Sequence, residues 1–275
     1  MFIPITKKSV TNEIVLVTGA GHGIGKEIAI GYASLGATVI CCDINEETNK
    51  QTMNEIKMMG KNAVFAYQCN VADRKEVFRV AEKVRKEVGD VTILVNNAGI
   101  VFVKTLLNQS VDEVTQVIDV NLKSHYWTLQ AFLPSMIEKN HGHIVAISSI
   151  AALIGNTHGT VYCPTKSAIK ALMESLSYEL REYSKEKSLI KFTTVYPALV
   201  LTGLVKKPRS RFSFMVNALT PQNAASLIID AQRQNFREKS MPSHWLPLLR
   251  SLGLLPTKAV HCILDFLDIG VDIED

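Results

Sequence analysis

Short apolar runs alternate along the chain with longer segments in which apolar residues recur at helical spacing. The β-branched run at 14–17 predicts a strand, and the recurrence of Ile28, Ala29, Tyr32 and Ala33 predicts a helix after it. The alternation continues, with further strands predicted at 38–42, 63–68, 91–95, 143–148 and 191–196. Strands that alternate with helices are typical of an α/β fold, so we expect one doubly wound parallel sheet, a Rossmann fold, in a single domain.

Polar residues mark the ends of several predicted helices. Asp73 and Glu76 predict a capping box at the start of one helix, and Gly89 predicts its end. Ser110 and Glu113 predict a second capping box, which opens a helical region that reaches residue 138.

A glycine-rich turn joins the first predicted strand to the first helix. Its glycines at 19, 23 and 25 follow the spacing G-x-x-x-G-x-G, because Ile24 stands where G-x-G-x-x-G has its last glycine. A helix N-terminus after such a turn binds anions, since its first backbone N–H groups have no partner within the helix. Asp43 ends the second strand, where a carboxylate accepts hydrogen bonds from ribose hydroxyls and repels a 2′-phosphate. The unit therefore predicts a dinucleotide site that favours NAD over NADP, although Asp43 also fits as a helix cap.

Tyr162 and Lys166 are four residues apart, so on a helix both side chains project from one face. A positive charge about 4 Å from the phenol would supply roughly 4 kcal/mol, enough to lower the pKa of Tyr162 from ~10 to ~7. Ser149 follows an apolar run and offers a hydroxyl to the same substrate oxygen. These groups predict alcohol or ketone chemistry. One such pair is also expected by chance in a chain with seven Tyr and thirty Lys and Arg, so it needs support from the other motifs.

The composition excludes several classes of protein. With 275 residues, 47% of them hydrophobic, the chain can build a large core, and a net charge of +4 is too small to predict nucleic-acid binding. Five scattered cysteines and the pair His141 and His143 predict neither disulfides nor a metal site, because the histidines fit the turn into a strand. No apolar run reaches the length of a membrane-spanning helix. One local basic cluster comprises Lys206, Lys207, Arg209 and Arg211.

The motifs together resemble the short-chain dehydrogenase/reductase family from about residue 12 to residue 235. The matching set is Thr18-Gly19-x-x-x-Gly23-x-Gly25, Asn96-Asn97-Ala98-Gly99, Asn121, Ser149, Tyr162-x-x-x-Lys166 and the segment from Pro197 to Thr202. Within the family, Gly19-Ala20-Gly21-His22-Gly23-Ile24-Gly25 and Ala131-Phe132-Leu133-Pro134 are similar to the branch that holds 17β-hydroxysteroid dehydrogenases 11 and 13 and epidermal retinol dehydrogenase 2.

The resemblance implies a role for each catalytic candidate. Tyr162 would be the general acid/base, and Lys166 would lower its pKa and hold the nicotinamide ribose. Ser149 would position the reacting oxygen, with Ser148 as its rival, and Asn121 would support a proton path through water. Asn96 would border the cofactor. The residues that would bind NAD are Gly19, His22, Gly23, Ile24, Gly25, Asp43, Asn70, Val71, Asn97, Ala98, Gly99, Tyr162, Lys166, Pro197 and Thr202.

Three departures from the family pattern stand out. Asn70 replaces the usual Asp beside the adenine, and Ala198 replaces a glycine that often follows Pro197. The segment 238–242 is short and polar where the family has its last strand, so the sequence leaves that edge of the sheet open.

The resemblance also implies an organisation of the chain. We expect an N-terminal arm at 1–11, which resembles the end of a membrane anchor, and an NAD-binding domain at 12–275. Within it, 199–219 would form a substrate lid, and 240–275 would face lipid or pack on the domain. The enzyme would be a homodimer without a metal that works at the endoplasmic reticulum or lipid-droplet surface, or in the cytoplasm if it has no anchor. Oxidation of a lipid alcohol, of the 17β-hydroxysteroid or retinol type, is the expected activity. The alternatives are an NADPH-dependent carbonyl reductase and a non-catalytic member that binds lipid or a partner.

Overall fold

The computed structural model describes residues 6–61, 63–204, 208–212, 218–268 and 270–272. The strands are β1 (Ile14–Thr18), β2 (Thr38–Asp43), β3 (Val64–Gln68), β4 (Ile93–Asn96), β5 (His143–Ile147), β6 (Lys191–Pro197), β7 (Pro208–Arg209), β8 (Glu238–Met241) and β9 (Gly270–Val271). The α-helices are α1 (Gly23–Ser34), α2 (Glu46–Met58), α3 (Arg74–Glu87), α4 (Val111–Ile118), α5 (Ser124–Lys139), α6 (Tyr162–Tyr183), α7 (Pro221–Arg233), α8 (Trp245–Leu252) and α9 (Thr257–Leu267).

Within the described residues, seven strands form one parallel sheet in the order β3-β2-β1-β4-β5-β6-β8. From β1 the chain adds β2 and β3 on one side, and it then crosses over to add β4 on the other side of β1. The direction in which strands are added therefore reverses between β1 and β4. In such sheets the crevice at the carboxyl ends of the strands at the reversal binds the ligand. The predicted doubly wound α/β fold in a single domain is confirmed.

Helices pack on both faces of this sheet. A cluster built from β1, α1, α2 and α7 fills one side, and a cluster built from α3, α5 and α6 fills the other. The helices α1 and α7 come very close, since a Cβ on Gly31 would lie 2.5 Å from Ile229 Cδ1. The sheet is therefore buried on both faces, as expected for parallel strands that read as continuous apolar runs.

The predicted helix caps are correct in one case and partly wrong in another. Ser110 and Glu113 form the reciprocal capping box at the start of α4. Asp73 caps α3 as predicted, but Glu76 accepts from the backbone N–H of Asn70 instead of returning to Asp73. The helical region predicted to reach residue 138 consists of α4, a π-helical turn at Asp119–Lys123, and α5.

The polar segment that the sequence left open is a strand, β8, paired in parallel with β6. Its polar side chains all have partners. The buried Tyr196 donates its hydroxyl to Glu238 Oε1 at 2.5 Å, and Arg250 of α8 pairs with the same carboxylate. The Ser240 hydroxyl accepts from the backbone N–H of Leu246 at 2.8 Å. These bonds satisfy the polar groups of an edge strand that has little apolar surface to bury.

After β8 the chain packs back on the domain. Trp245, Leu249 and Leu252 of α8 are buried in a small apolar cluster, whereas Leu254 is 86% exposed. The residues of α8 thus pack on the domain, and both interpretations of segment 240–275, packing and contact with lipid, stay predictions. No helix among the described residues is long and apolar enough to cross a bilayer.

Candidate active site

The glycine turn after β1 is bonded to the segment after β4. The Thr18 hydroxyl accepts from the backbone N–H groups of Asn97 and Ala98, at 3.0 and 3.1 Å, and Asn97 Nδ2 donates to the Thr18 carbonyl at 2.9 Å. Gly19 has φ +68°, and a Cβ on it would lie 3.0 Å from Ala98 Cα. A side chain at position 19 would therefore strain the backbone and push the two segments apart.

The same turn leaves room for a ligand at the N-terminus of α1. A Cβ at Gly25 would lie 2.0 Å from the Gly19 carbonyl oxygen, so only glycine allows the helix to start this close to the turn. His22 precedes α1 and makes no side-chain cap bond within the described residues. The first backbone N–H groups of α1 stay available for an anion such as a pyrophosphate.

Asp43 ends β2 with its carboxylate held in place beside this turn. Its two oxygens accept from the backbone N–H groups of Gly21 and Asn45, at 2.8 and 2.9 Å, and the side chain is buried. A carboxylate has about four acceptor positions, so two remain for hydroxyl donors. The carboxylate is thus fixed in one orientation and can accept from a ribose diol.

Asn70 and Val71 follow β3 and line the same cavity. The Asn70 side chain accepts from the backbone N–H of Ala72, and its own backbone N–H donates to Glu76. Glu76 therefore fixes the loop that carries Asn70.

The candidate catalytic side chains lie at the carboxyl end of β5 and the start of α6. Lys166 is buried, and its Nζ donates to the Ile147 carbonyl at 3.0 Å and lies 5.5 Å from the ring centroid of Tyr162. The Ser149 hydroxyl accepts from the backbone N–H of Ala151 and interacts with the Tyr162 phenol. The Ser148 hydroxyl instead donates to the Lys166 carbonyl, so Ser148 has a structural bond and Ser149 is the better candidate.

The expected lowering of the Tyr162 pKa is wrong for the protein without ligand. Loss of solvation in the cavity wall raises the pKa of Tyr162 to about 12, while hydrogen bonding with Ser149 acts in the opposite direction. Burial also lowers the pKa of Lys166 to about 8. Both shifts have the same cause, because the low-dielectric surroundings penalise the charged form of each group.

Asn121 lies in the π-helical turn and is fully buried, so it does not line the cavity. Its amide donates to the Ile100 carbonyl and accepts from the Ile100 backbone N–H, each at 2.8 Å. A Cβ on Gly99 would lie 3.4 Å from both Asn121 Oδ1 and Lys166 Nζ. Asn121 therefore holds the loop after β4 close to the lysine.

One cavity of about 860 Å³ contains most of the predicted site. Apart from Gly25 and Asn121, every residue proposed to act in catalysis or to bind the cofactor lines it. Thr202 lies against the turn, since a Cβ on Gly23 would lie 3.2 Å from its methyl group. Asn96 was expected to border the cofactor but lies behind the wall, where its side-chain oxygen accepts from Thr128.

The sequence did not identify the substrate side of the cavity. This wall combines the loop before α6, the start of α8 and β9. Its residues include Thr157, His158, Trp245, Leu248 and Val271. None belongs to a motif, and the apolar spacing of α8 was the one signal that could have indicated a contribution from Trp245 and Leu248.

The basic cluster is only partly described. Lys206 and Lys207 lie outside the described residues, as do Phe214 and Met215 of the expected lid. Arg209 pairs with Asp268 and Asp272, and Arg211 lies over the ring of Phe266, so both described arginines of the cluster have partners within the protein. Among the described residues no group of His, Cys, Asp and Glu could hold a metal ion.

Structure comparisons match this architecture. A short-chain dehydrogenase/reductase from Burkholderia phymatum in complex with NAD superposes with a TM-score of 0.79 at 23% identity, over 88% of this chain and 93% of that chain. A metagenomic short-chain oxidoreductase in complex with NADP gives 0.69 at 29% identity, over 84% of this chain and 96% of that one.

Sequence comparisons find close relatives over nearly the whole chain. Short-chain dehydrogenase/reductase family 16C member 6 of Bos taurus is 41% identical over 98% of this chain and 84% of its own length. Epidermal retinol dehydrogenase 2 of Mus musculus is 40% identical over 96% and 84%. The 17-beta-hydroxysteroid dehydrogenase 13 of Homo sapiens is 37% identical over 94% and 84%. The family model for short chain dehydrogenase matches residues 13–211, and the chain therefore belongs to the short-chain dehydrogenase family, as an alcohol oxidoreductase related to retinol and 17β-hydroxysteroid dehydrogenases.

Proposed function

We propose that the protein oxidises a neutral lipid alcohol, of the retinol or 17β-hydroxysteroid type, with NAD as the acceptor. One observation carries the proposal: Ser149, Tyr162 and Lys166 line the same cavity as the glycine turn and Asp43. A nicotinamide cofactor fits the residues present, because the glycines leave space that any Cβ would fill and α1 presents free backbone N–H groups.

When bound, NAD⁺ supplies the hydride acceptor and a further positive charge. The side chains of this protein handle the proton and the oxygen. Tyr162 takes the hydroxyl proton of the alcohol at its phenolic oxygen, and Ser149 holds the same substrate oxygen by a hydrogen bond. Lys166 provides positive charge near the phenol and a donor for the ribose, while Asn121 holds the loop that borders Lys166.

Asp43 supports the choice of NAD over NADP. A 2′-phosphate would bring negative charge against a buried carboxylate that two backbone N–H groups already fix in place. The following helix adds Glu46 and Glu47 in its first turn, and the neighbours of Asp43, Ile44 and Asn45, carry no positive charge. Discrimination between the two cofactors thus uses repulsion of the wrong one as well as hydrogen bonds to the right one.

The substrate class rests on the cavity wall formed by the loop before α6, the start of α8 and β9, and on the names of the relatives. Trp245, Leu248 and Val271 of this wall, together with Leu199 and Val200 elsewhere in the cavity lining, favour an apolar body on the alcohol. Epidermal retinol dehydrogenase 2 and 17-beta-hydroxysteroid dehydrogenase 13 are named for alcohols with such bodies.

We further propose that segment 12–275 acts as one NAD-binding domain whose lid lies at about 199–219, and that two copies form a homodimer. The protein would work at the surface of the endoplasmic reticulum or of a lipid droplet. Exposed apolar side chains near the C-terminus, Leu254 at 86% and Phe266 at 56%, support contact with lipid.

Turnover by the purified protein tests the proposed activity. Retinol, estradiol and other lipid alcohols are offered with NAD and with NADP, and Tyr162→Phe is compared with wild type. We expect NAD-dependent oxidation that the Phe variant loses while its NAD affinity stays nearly unchanged, because the hydroxyl acts on the substrate and not on the cofactor. A variant that keeps more than about a tenth of the rate, a loss below ~1.4 kcal/mol, contradicts the role of Tyr162.

A further inference from the structure

The C-terminal strand closes one side of the substrate cavity. Strand β9 pairs antiparallel with β7, and both strands contribute to the cavity wall through Arg209, Gly270 and Val271. The Val271 carbonyl accepts a hydrogen bond at 2.8 Å from Nδ1 of His158, which lies four residues before Tyr162. The end of the chain is thus attached both to the lid region and to the loop that leads into the catalytic helix.

Arg209 holds this arrangement together by ionic contacts. Its Nε donates to Asp268 at 3.0 Å and its Nη1 donates to Asp272 at 2.6 Å. The backbone adds a bond from the Arg211 N–H to the Leu267 carbonyl at 3.0 Å. A Cβ on Gly270 would lie 3.4 Å from both the Arg209 guanidinium and the Thr157 hydroxyl, so the three segments are in close contact.

We propose that residues 267, 268 and 270–272, called here the C-terminal wall, form part of the substrate site and determine which alcohols it accepts. The inference rests on the proposed function and extends it to specificity. An elongated neutral alcohol contacts the wall when its hydroxyl reaches Tyr162, whereas a short alcohol does not extend that far. The Arg209 ion pairs keep the wall in place, so they affect the binding of long substrates and leave the chemistry at Tyr162 unchanged.

The ion pairs also set the charge that the wall presents. Arg209 is matched by two carboxylates, so the wall offers no unpaired cation to a substrate. An alcohol with a distal carboxylate would add a third negative group near Asp268 and Asp272 and is disfavoured. The structure thus favours substrates with an uncharged far end.

The variant that removes the charges with little change in shape is Asp268→Asn with Asp272→Asn. Position 268 has φ +47°, a left-handed conformation that Asn tolerates and most other residues do not. The control is Arg181→Gln, which removes an exposed ion pair with Glu186 far from the cavity. Because exposed ion pairs contribute little individually, we expect KM for a long neutral alcohol such as retinol to rise about three- to fivefold in the double variant.

Four measurements distinguish a specific effect of the double variant on the C-terminal wall from a general loss of protein stability. KM for a short secondary alcohol and for NAD should stay within about twofold of wild type, and the control should match wild type throughout. KM of wild type for the long alcohol should rise with salt, because the side chains of the pairs are 42–48% exposed and therefore screened, and this dependence should vanish in the double variant. A long alcohol with a terminal carboxylate should become a better substrate relative to the neutral one.

Equal KM values for the long alcohol in wild type and the double variant would overturn the proposal, as would an equal rise for the short alcohol. A wild-type protein that oxidises neither alcohol would refute the proposed activity instead. Binding then tests the wall alone: Trp245 lines the cavity, so its fluorescence in a Trp127→Phe background reports retinol binding without turnover. Unchanged affinity in the double variant would reject the wall in that assay as well.

Discussion

Replacing Lys166 by methionine should make the ligand-free protein more stable while it removes activity. Lys166 is 4% exposed and has no carboxylate partner in the described part of the chain, and burial lowers its pKa from 10.5 to about 8. At pH 7 the folded protein therefore buries a charged ammonium that the unfolded chain would solvate. Methionine has a similar length and an unbranched, flexible side chain, so it can fill the same space.

The two pKa values give the size of this effect. The difference corresponds to ~3 kcal/mol of destabilisation at pH 7, since each pKa unit is 1.36 kcal/mol. Methionine also loses the hydrogen bond from Nζ to the Ile147 carbonyl, which costs about 1 kcal/mol. The net gain of ~2 kcal/mol corresponds to an increase in Tm of roughly 5 °C for a domain of this size.

The pH dependence distinguishes this explanation from a general packing effect. Below pH 8 the lysine is protonated in both states, and the penalty on wild type is complete. Between pH 8 and 10.5 the unfolded chain binds more protons than the folded one, so the stability of wild type rises with pH toward that of the variant.

Thermal unfolding from pH 6 to pH 10 measures this convergence. Lys170→Met, one turn further along α6 and more exposed, is the control and should show neither effect. A Lys166→Met protein that is less stable than wild type at pH 7, or a difference that does not shrink above pH 8, would refute the reasoning.

Three further predictions concern the cofactor, the assembly and the membrane. Asp43→Ala should reduce the preference for NAD over NADP, because the variant admits a 2′-phosphate. The ratio of kcat/KM for the two cofactors measures this preference, and equal kcat/KM values in wild type would contradict the role of Asp43. Light scattering should give the mass of a dimer, and about 30 kDa at micromolar concentration would contradict the homodimer. The protein should float with anionic liposomes at low salt and less so at high salt, and replacing exposed Leu254 and Phe266 by Ser should weaken flotation; protein that stays in the soluble fraction would exclude direct lipid contact.

Features that depend on local geometry could be predicted from the sequence. The spacing of the glycines implied a strand, a tight turn and a helix, and the structure shows why Gly25 cannot carry a side chain. The capping box at Ser110 needs only residues three apart, and Tyr162 and Lys166 lie on one helix, α6, as their spacing of four residues predicted. Each of these signals lies within a few residues of the structure that it specifies.

Features that depend on distant partners could not be predicted. Strand β8 looked too polar for a sheet because the partners of Glu238, Tyr196 and Arg250, lie 42 and 12 positions away in the sequence, outside the strand. The C-terminal wall depends on pairs between Arg209 and residues about sixty positions later, as the separations of 59 and 63 for Asp268 and Asp272 show. The sign of the Tyr162 pKa shift was wrong because spacing reveals the neighbouring lysine but not the burial of both groups.

That pKa has a consequence for the direction of the proposed reaction. With a pKa of about 12, Tyr162 is protonated at neutral pH and can act as an acid, whereas its use as a base at pH 7 costs ~7 kcal/mol. Lys166 is protonated at pH 7, but the pKa of Tyr162 is raised even with this charge nearby, so the lysine does not offset the whole cost. Alcohol oxidation therefore requires additional positive charge near the phenol, which oxidised nicotinamide carries and reduced nicotinamide does not. In the proposed reaction the Tyr162 phenol thus stays protonated and neutral beside the charged Lys166 until the oxidised cofactor is bound, and it acts as a base only in that complex.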